Sequence, residues 1–182
     1  FLQIRDLCRI RRYLNKKALI LLGNALVSSK IDYCNALFSS LTDKNLRRLQ
    51  AIQNTLCRVI CRLPRRASTT KFLKSLHWLP VRFRIKFKIC VQVYKTLDNG
   101  QPLYIKDYLT PYTTSANTRR SNPQKRILGT INYKSKIHKS SVQLAHSFSY
   151  SAPRTWNELP LNVRTSPTIS SFRQRLKTNL FR

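Results

Sequence analysis

The chain has 182 residues, with 35 Lys plus Arg against 6 Asp plus Glu, a formal charge of +29. That length allows one domain, or one domain and a tail, and 42% hydrophobic residues suffice for a modest core. No run of about eighteen apolar residues occurs, so no membrane span is expected, and so few carboxylates leave little material for acid–base or metal chemistry.

The acidic residues are Asp6, Asp32, Asp43, Asp98, Asp107 and Glu158. Between Asp43 and Asp98 lie fourteen basic residues and no acid. Such a field repels itself in a compact state and calls for an anionic partner. RNA or DNA is the first expectation, because neutralising phosphates releases counterions and supplies affinity without sequence preference. A membrane surface is the weaker alternative, and a merely solvated basic surface the bland one. The chain has no Met and opens at Phe1 in mid-pattern, which reads as a fragment. Phe1 to Tyr13 is too basic for a secretory leader. Cys8, Cys34, Cys57, Cys61 and Cys90 are therefore expected as reduced thiols, mostly buried, in a nuclear or cytoplasmic rather than secreted protein.

The pattern predicts a mainly α fold: a small, thumb-like helical bundle, a partly irregular segment and a C-terminal helix. Phe1 to Tyr13 reads as a basic helix. Asn15 is a plausible N-cap for a largely buried helix over Lys17 to Ser39, with Leu19, Leu22, Leu26, Ile31, Cys34 and Phe38. Thr42-Asp43 is a start signal, a hydroxyl followed by an acid on the positive helix end. Leu46, Leu49, Ile52, Leu56, Val59, Ile60 and Leu63 then keep helical spacing up to Pro64. A short helix follows over Ser68 to Leu76. Val81 to Val93 alternates strictly, which suits a strand, yet Val81, Ile85, Ile89, Val93 and Leu97 also fall at helical spacing. Its length, Pro80 at its start and Asp98-Asn99-Gly100 at its end favour a helix. Pro102 to Leu109 predicts one more short helix. Thr110 to Tyr133 reads as a loop, and Lys134 to Tyr150 as extended chain or a hairpin. Pro153 to Leu159 suggests a helical turn or two. Ser166-Pro167 caps a last helix carrying Ile169, Phe172, Leu176 and Leu180. The domains expected are residues 1–109, a linker over 110–150 and a helical segment over 151–182.

Reaction chemistry has little to stand on. No two carboxylates are near in sequence, as a two-metal centre would want. No Gly-rich phosphate loop is present, and Cys57 with Cys61 lacks the second pair that zinc needs. No cofactor or metal is expected. Two basic clusters are the candidates for phosphate contact: Arg82, Arg84, Lys86 and Lys88, and Arg58, Arg62, Arg65 and Arg66. Either way, helix or strand, the first would lay one basic side beside an apolar one. His77-Trp78-Leu79-Pro80 offers rings that stack on a base, but a packed corner between two helices is the commoner use of such residues.

Three stretches carry a resemblance. The first is Leu26-Val27-Ser28-Ser29-Lys30-Ile31-Asp32-Tyr33-Cys34-Asn35 with Leu49-Gln50-Ala51-Ile52-Gln53-Asn54. The second is Leu76-His77-Trp78-Leu79-Pro80-Val81-Arg82-Phe83-Arg84-Ile85-Lys86-Phe87-Lys88, continuing to Tyr94-Lys95-Thr96-Leu97. The third is Ser151-Ala152-Pro153-Arg154-Thr155-Trp156-Asn157-Glu158-Leu159-Pro160, ending in Phe172-Arg173-Gln174-Arg175-Leu176-Lys177-Thr178. Together they resemble the region after the polymerase domain in LINE-type, non-LTR retrotransposon reverse transcriptases of the jockey and chicken-repeat kind. The resemblance implies that residues up to about Leu63 correspond to the helical thumb that grips a primer–template duplex, and that the partner is the rest of a reverse transcriptase polypeptide. It also implies that the catalytic aspartates lie upstream in the palm. No Tyr/Phe-x-Asp-Asp motif occurs here, so no catalytic residue carries over.

The expectation is a non-catalytic, nucleic-acid-binding appendage of an RNA-directed DNA polymerase. A decayed remnant of such an element, without activity, is the alternative, and a small hydrolase or nuclease the third reading.

Overall fold

The computed structural model describes residues 1–106, 109 and 148–181. They are mainly helical, with no strand among them. Phe1–Ile85 and Lys86–Leu180 form two compact units. The sequence reading grouped 1–109 and set 151–182 apart. The packing instead places the later helices in one unit with residues from Lys86 onward.

In the first unit, helix α1 (Leu2–Ile10) runs into a 3-10 turn, Arg11–Tyr13. Helix α2 (Lys16–Gly23) starts at Asn15, whose side chain accepts the Ala18 amide at 2.8 Å. That satisfies a backbone donor the helix itself leaves over. The long helix expected over Lys17 to Ser39 is broken instead. A π turn (Asn24–Ser28) follows α2, then the one-turn helix α3 (Ser29–Asp32) and a 3-10 segment, Asn35–Ser40. The break falls at Cys34, left-handed with φ 48°. Asn35 Nδ2 donates to Asp32 Oδ1 across it at 3.4 Å, a long side-chain bond that spans the break. Cys34 is thereby exposed, as is Cys8, so the expectation of buried thiols holds for Cys57 and Cys90 but not for these two.

Helix α4 (Asp43–Ile60) packs on α1 and α2, with Leu56, Cys57 and Ile60 in the core beside Leu7 and Leu19. Each such large aliphatic side chain contributes about 1.5–3 kcal/mol through burial. Gly23 permits the close approach of α2, since a Cβ there would stand 2.9 Å from Ile60 Cδ1. Helix α4 ends before Pro64, at a Schellman motif: the Leu63 amide donates to Arg58 O at 2.9 Å and the Arg62 amide to Val59 O at 3.4 Å. Helix α5 (Thr70–Ser75) ends the same way, with Trp78 N to Leu73 O at 2.8 Å and His77 N to Lys74 O at 3.0 Å. The left-handed positions are Arg62 (φ 53°) and His77 (φ 54°), where glycine is usual and another residue costs about 1–2 kcal/mol.

Helix α6 (Val81–Asn99) settles the strand-or-helix ambiguity as a helix. Gly100, at φ 68°, ends it as the stop pattern predicted. Its residues from Lys86 on belong to the second unit with α7 (Leu103–Lys106), α8 (Phe148–Asn157), α9 (Leu161–Arg164) and α10 (Ile169–Phe181). The centre of this unit is aromatic. Phe172 stacks on Tyr94 at 4.4 Å between ring centroids and meets Trp156 at 5.6 Å. The Tyr94 hydroxyl donates to Ser166 O at 2.8 Å, so a buried polar tip finds an acceptor. Two expectations shift here. Helix α8 begins upstream of Pro153 and includes Phe148–Tyr150 rather than extended chain. The first turn of α10 is capped by Thr168, whose Oγ1 accepts the Ser171 amide at 3.2 Å, while Ser166 Oγ donates to Val163 O. The loop read over Thr110 to Tyr133 and most of Lys134 to Tyr150 lie outside the described residues.

Candidate nucleic-acid interface

Helical geometry divides the first basic cluster. On α6, positions 82 and 86 share one side, and 84 and 88 lie roughly 200° away. One continuous basic side, expected for either conformation, does not form. Within the first unit, Arg82 pairs with Asp43 and Arg84 Nη1 meets Asp32 Oδ2 at 2.7 Å. Within the second, Lys86 Nζ meets Glu158 Oε2 at 2.9 Å. Arg84 is a structural residue: its side chain is 13% exposed, its Nε donates to Leu79 O at 2.9 Å, and its guanidinium stands 5.9 Å from the Trp78 ring centre. Lys88 is exposed and makes no ion pair among the described residues. Three of the four phosphate candidates therefore hold the chain's own carboxylates.

The His77-Trp78-Leu79-Pro80 corner is packed, with Trp78 and Leu79 buried and His77 exposed. Two glutamines of α4 hold it. Gln53 Nε2 donates to Leu79 O at 2.9 Å, and Gln50 Oε1 accepts the Val81 amide at 2.8 Å, capping α6. Gln50 Nε2 in turn donates to Gln53 Oε1 at 3.0 Å and Asn54 Oδ1 at 2.8 Å. A buried amide side chain is tolerated only when satisfied, and Gln53, fully buried, is. Asp32, Gln50, Gln53 and Arg84 thus tie residues 26–54 to the corner at residues 77–84.

The second basic cluster stays open to solvent and gains members. Arg62, Arg65 and Arg66 are exposed. Arg58, half-buried, donates from Nε to Ala67 O at 3.2 Å and fixes the turn that carries Arg65 and Arg66. Arg62 Nη2 reaches Arg11 O at 3.3 Å, bringing the end of α4 to the Arg11–Tyr13 turn. Between them lies a cleft of about 240 Å³ with Leu14, Leu19, Ile60 and Phe72 in its walls and Lys16 and Arg62 among its polar lining. Arg12 stands over the Tyr13 ring at 4.7 Å. Arg11, Arg12, Tyr13 and Lys16 were not singled out from sequence. Their only signal was the basic start of the chain; their closeness to Arg62 across about fifty positions was not visible there.

The two buried cysteines, Cys57 and Cys90, offer no reactive thiolate. Burial first, and the neighbouring Cys61 second, push the Cys57 thiol up to about 12; burial does the same for Cys90. Burial also raises the Tyr94 hydroxyl, with Asp98 adding to it. No group of three or more metal-ligating side chains occurs among the described residues. His138 and His146 lie outside them.

The two thiols carry a pH dependence. An unfolded chain releases such protons near pH 8.5, whereas the folded chain holds them. Stability present below that pH is therefore lost as pH rises towards 12, by about 1.4 kcal/mol per pH unit for each thiol. Urea unfolding at about pH 9 and about pH 11 is expected to show a smaller drop in Cys90→Ala than in the wild type. Equal drops in the two proteins would refute the assignment for Cys90.

No family model, curated protein or solved structure matches the chain. No described helix is long and apolar enough to cross a membrane.

Proposed function

We propose that the chain is a non-catalytic, nucleic-acid-binding segment from the carboxy-terminal part of a retrotransposon RNA-directed DNA polymerase, holding RNA or DNA electrostatically and without sequence preference. One observation carries the binding reading. Among the described residues, Asp6, Asp32, Asp43 and Glu158 all sit in internal ion pairs, so four of five acids are taken. The cluster of Arg11, Arg12, Lys16, Arg62, Arg65 and Arg66 has no acid paired to it there. Such a surface is neutralised by external anions, and a phosphate backbone supplies them at regular spacing. The assignment to a reverse transcriptase rests on the three sequence stretches. Its support is that Asp32, Gln50, Gln53, Trp78 and Arg84, all drawn from them, do structural work together.

Binding of the whole chain to a labelled duplex tests the reading. About four phosphate contacts predict a roughly 100-fold loss of affinity from about 50 to about 200 mM salt. An affinity independent of salt would overturn it.

A further inference from the structure

We propose that the corner formed by the Arg11–Tyr13 turn, the start of α2 and the end of α4 prefers single-stranded nucleic acid, stacking an unpaired base on Tyr13 while Lys16 and Arg62 hold the adjoining phosphates. This rests on the binding reading above and specifies which form of nucleic acid that surface takes. Tyr13 is 74% exposed, in a unit whose other aromatic beside the corner, Phe72, turns into the wall of the cleft. An exposed ring is nothing unusual alone. Here it is sandwiched from one side by a guanidinium, Arg12 at 4.7 Å, which keeps that face occupied and leaves the rest of the residue to solvent.

Its placement adds the second half of the argument. Arg11, the residue two before Tyr13, is bonded through its carbonyl to Arg62, and Leu14, the residue after, lines the cleft with Lys16 and Arg62. The ring therefore belongs to the turn that Arg62 grips, next in the chain to the cleft that Lys16 and Arg62 line. Aromatic platforms beside a cationic track are the means by which proteins hold unpaired strands, since each base presents a π face whatever its identity. In a duplex those faces are already stacked, and only the backbone and the base edges in the grooves are left to recognise. The apolar wall of the cleft, from Leu14, Leu19, Ile60 and Phe72, would suit an unstacked base better than a paired one.

The experiment uses the full chain, a fluorescein-labelled dodecathymidylate, an oligouridylate of equal length and a duplex, followed by anisotropy. Tyr13→Ala is expected to weaken both single strands by about 5- to 100-fold and the duplex by less than about twofold. Tyr13→Phe is expected to behave as the wild type. Equal losses on single strand and duplex, or none, would overturn the stacking site while leaving the electrostatic reading standing. If the wild type binds none of the three at low salt, that reading falls and this inference with it. A loss confined to the uridylate would also overturn the proposal as stated, since it would mark recognition of ribose rather than of a base face. The exposure of Tyr13 keeps the substitution from disturbing the core, and unchanged helical circular dichroism verifies it.

Discussion

Arg84→Glu is expected to unfold the first unit, lowering stability by more than about 4 kcal/mol, in the range reserved for an uncompensated buried charge. The position explains the size. Arg84 is mostly buried, donates to Leu79 O and pairs with Asp32. A glutamate there would set a carboxylate against both the Asp32 carboxylate and a carbonyl oxygen. Arg84→Met is the milder change. It keeps the apolar stem, and Asp32, with 45% of its side chain exposed, recovers hydration, so a loss of about 1–3 kcal/mol is expected. Combining Arg84→Met with Asp32→Asn should recover part of that loss, because the orphaned charge goes too. Thermal unfolding by circular dichroism measures all three, and a wild-type midpoint for Arg84→Glu would refute the structural role. The consequence for function is direct. Reversing Arg82, Arg84, Lys86 and Lys88 together would abolish the fold, so a loss of binding in that variant could not report on phosphate contact.

That confusion shows where the sequence was readable and where it was not. Local patterns were legible. Asn15 ahead of α2, the apolar stripe of α4 and the Gly100 stop of α6 are each written in residues three or four apart. Trp78 as a packed corner followed from its size and from Pro80 beside it. What failed was long-range pairing of polar groups. Arg82, Arg84 and Lys86 read as a phosphate track because their acids lie 39, 52 and 72 positions away. In a chain so poor in acids, each carboxylate is worth locating first, since it is bound to attract one of many cations. Gln50 and Gln53 were quoted as part of a motif and given no task; a polar residue on a helix reads as solvated until its buried partner is known. Backbone hand was the other blind spot. Cys34, Arg62 and His77 all take the left-handed conformation, and no glycine marks any of them. Arg62 and the cleft beside it owe their place to that turn, so the open cluster became visible only as its ends met.

The sharpest discrimination between a general cationic field and a defined surface is expected from two triple reversals of equal charge. The first, Arg62→Glu, Arg65→Glu and Arg66→Glu, changes the cluster at the end of α4. The second, Lys95→Glu, Lys106→Glu and Arg173→Glu, changes three exposed residues of the second unit. If the cluster makes the contacts, the first variant loses at least about 100-fold in duplex affinity and its salt slope falls by about three, one for each lost phosphate contact. The second, making no contact, changes affinity through the distant field alone, by less than about tenfold once salt has cut the screening length to about 10 Å. Equal losses in the two variants would sink the cluster as the interface, and leave net charge as the whole of the effect. Folding is not at risk in the same way as at Arg84. Arg65 and Arg66 are exposed, and Arg62 already stands in a left-handed position where glutamate is no worse a tenant than arginine. The bond that Arg62 gives to Arg11 O is at an exposed site, so its loss costs only about 1 kcal/mol.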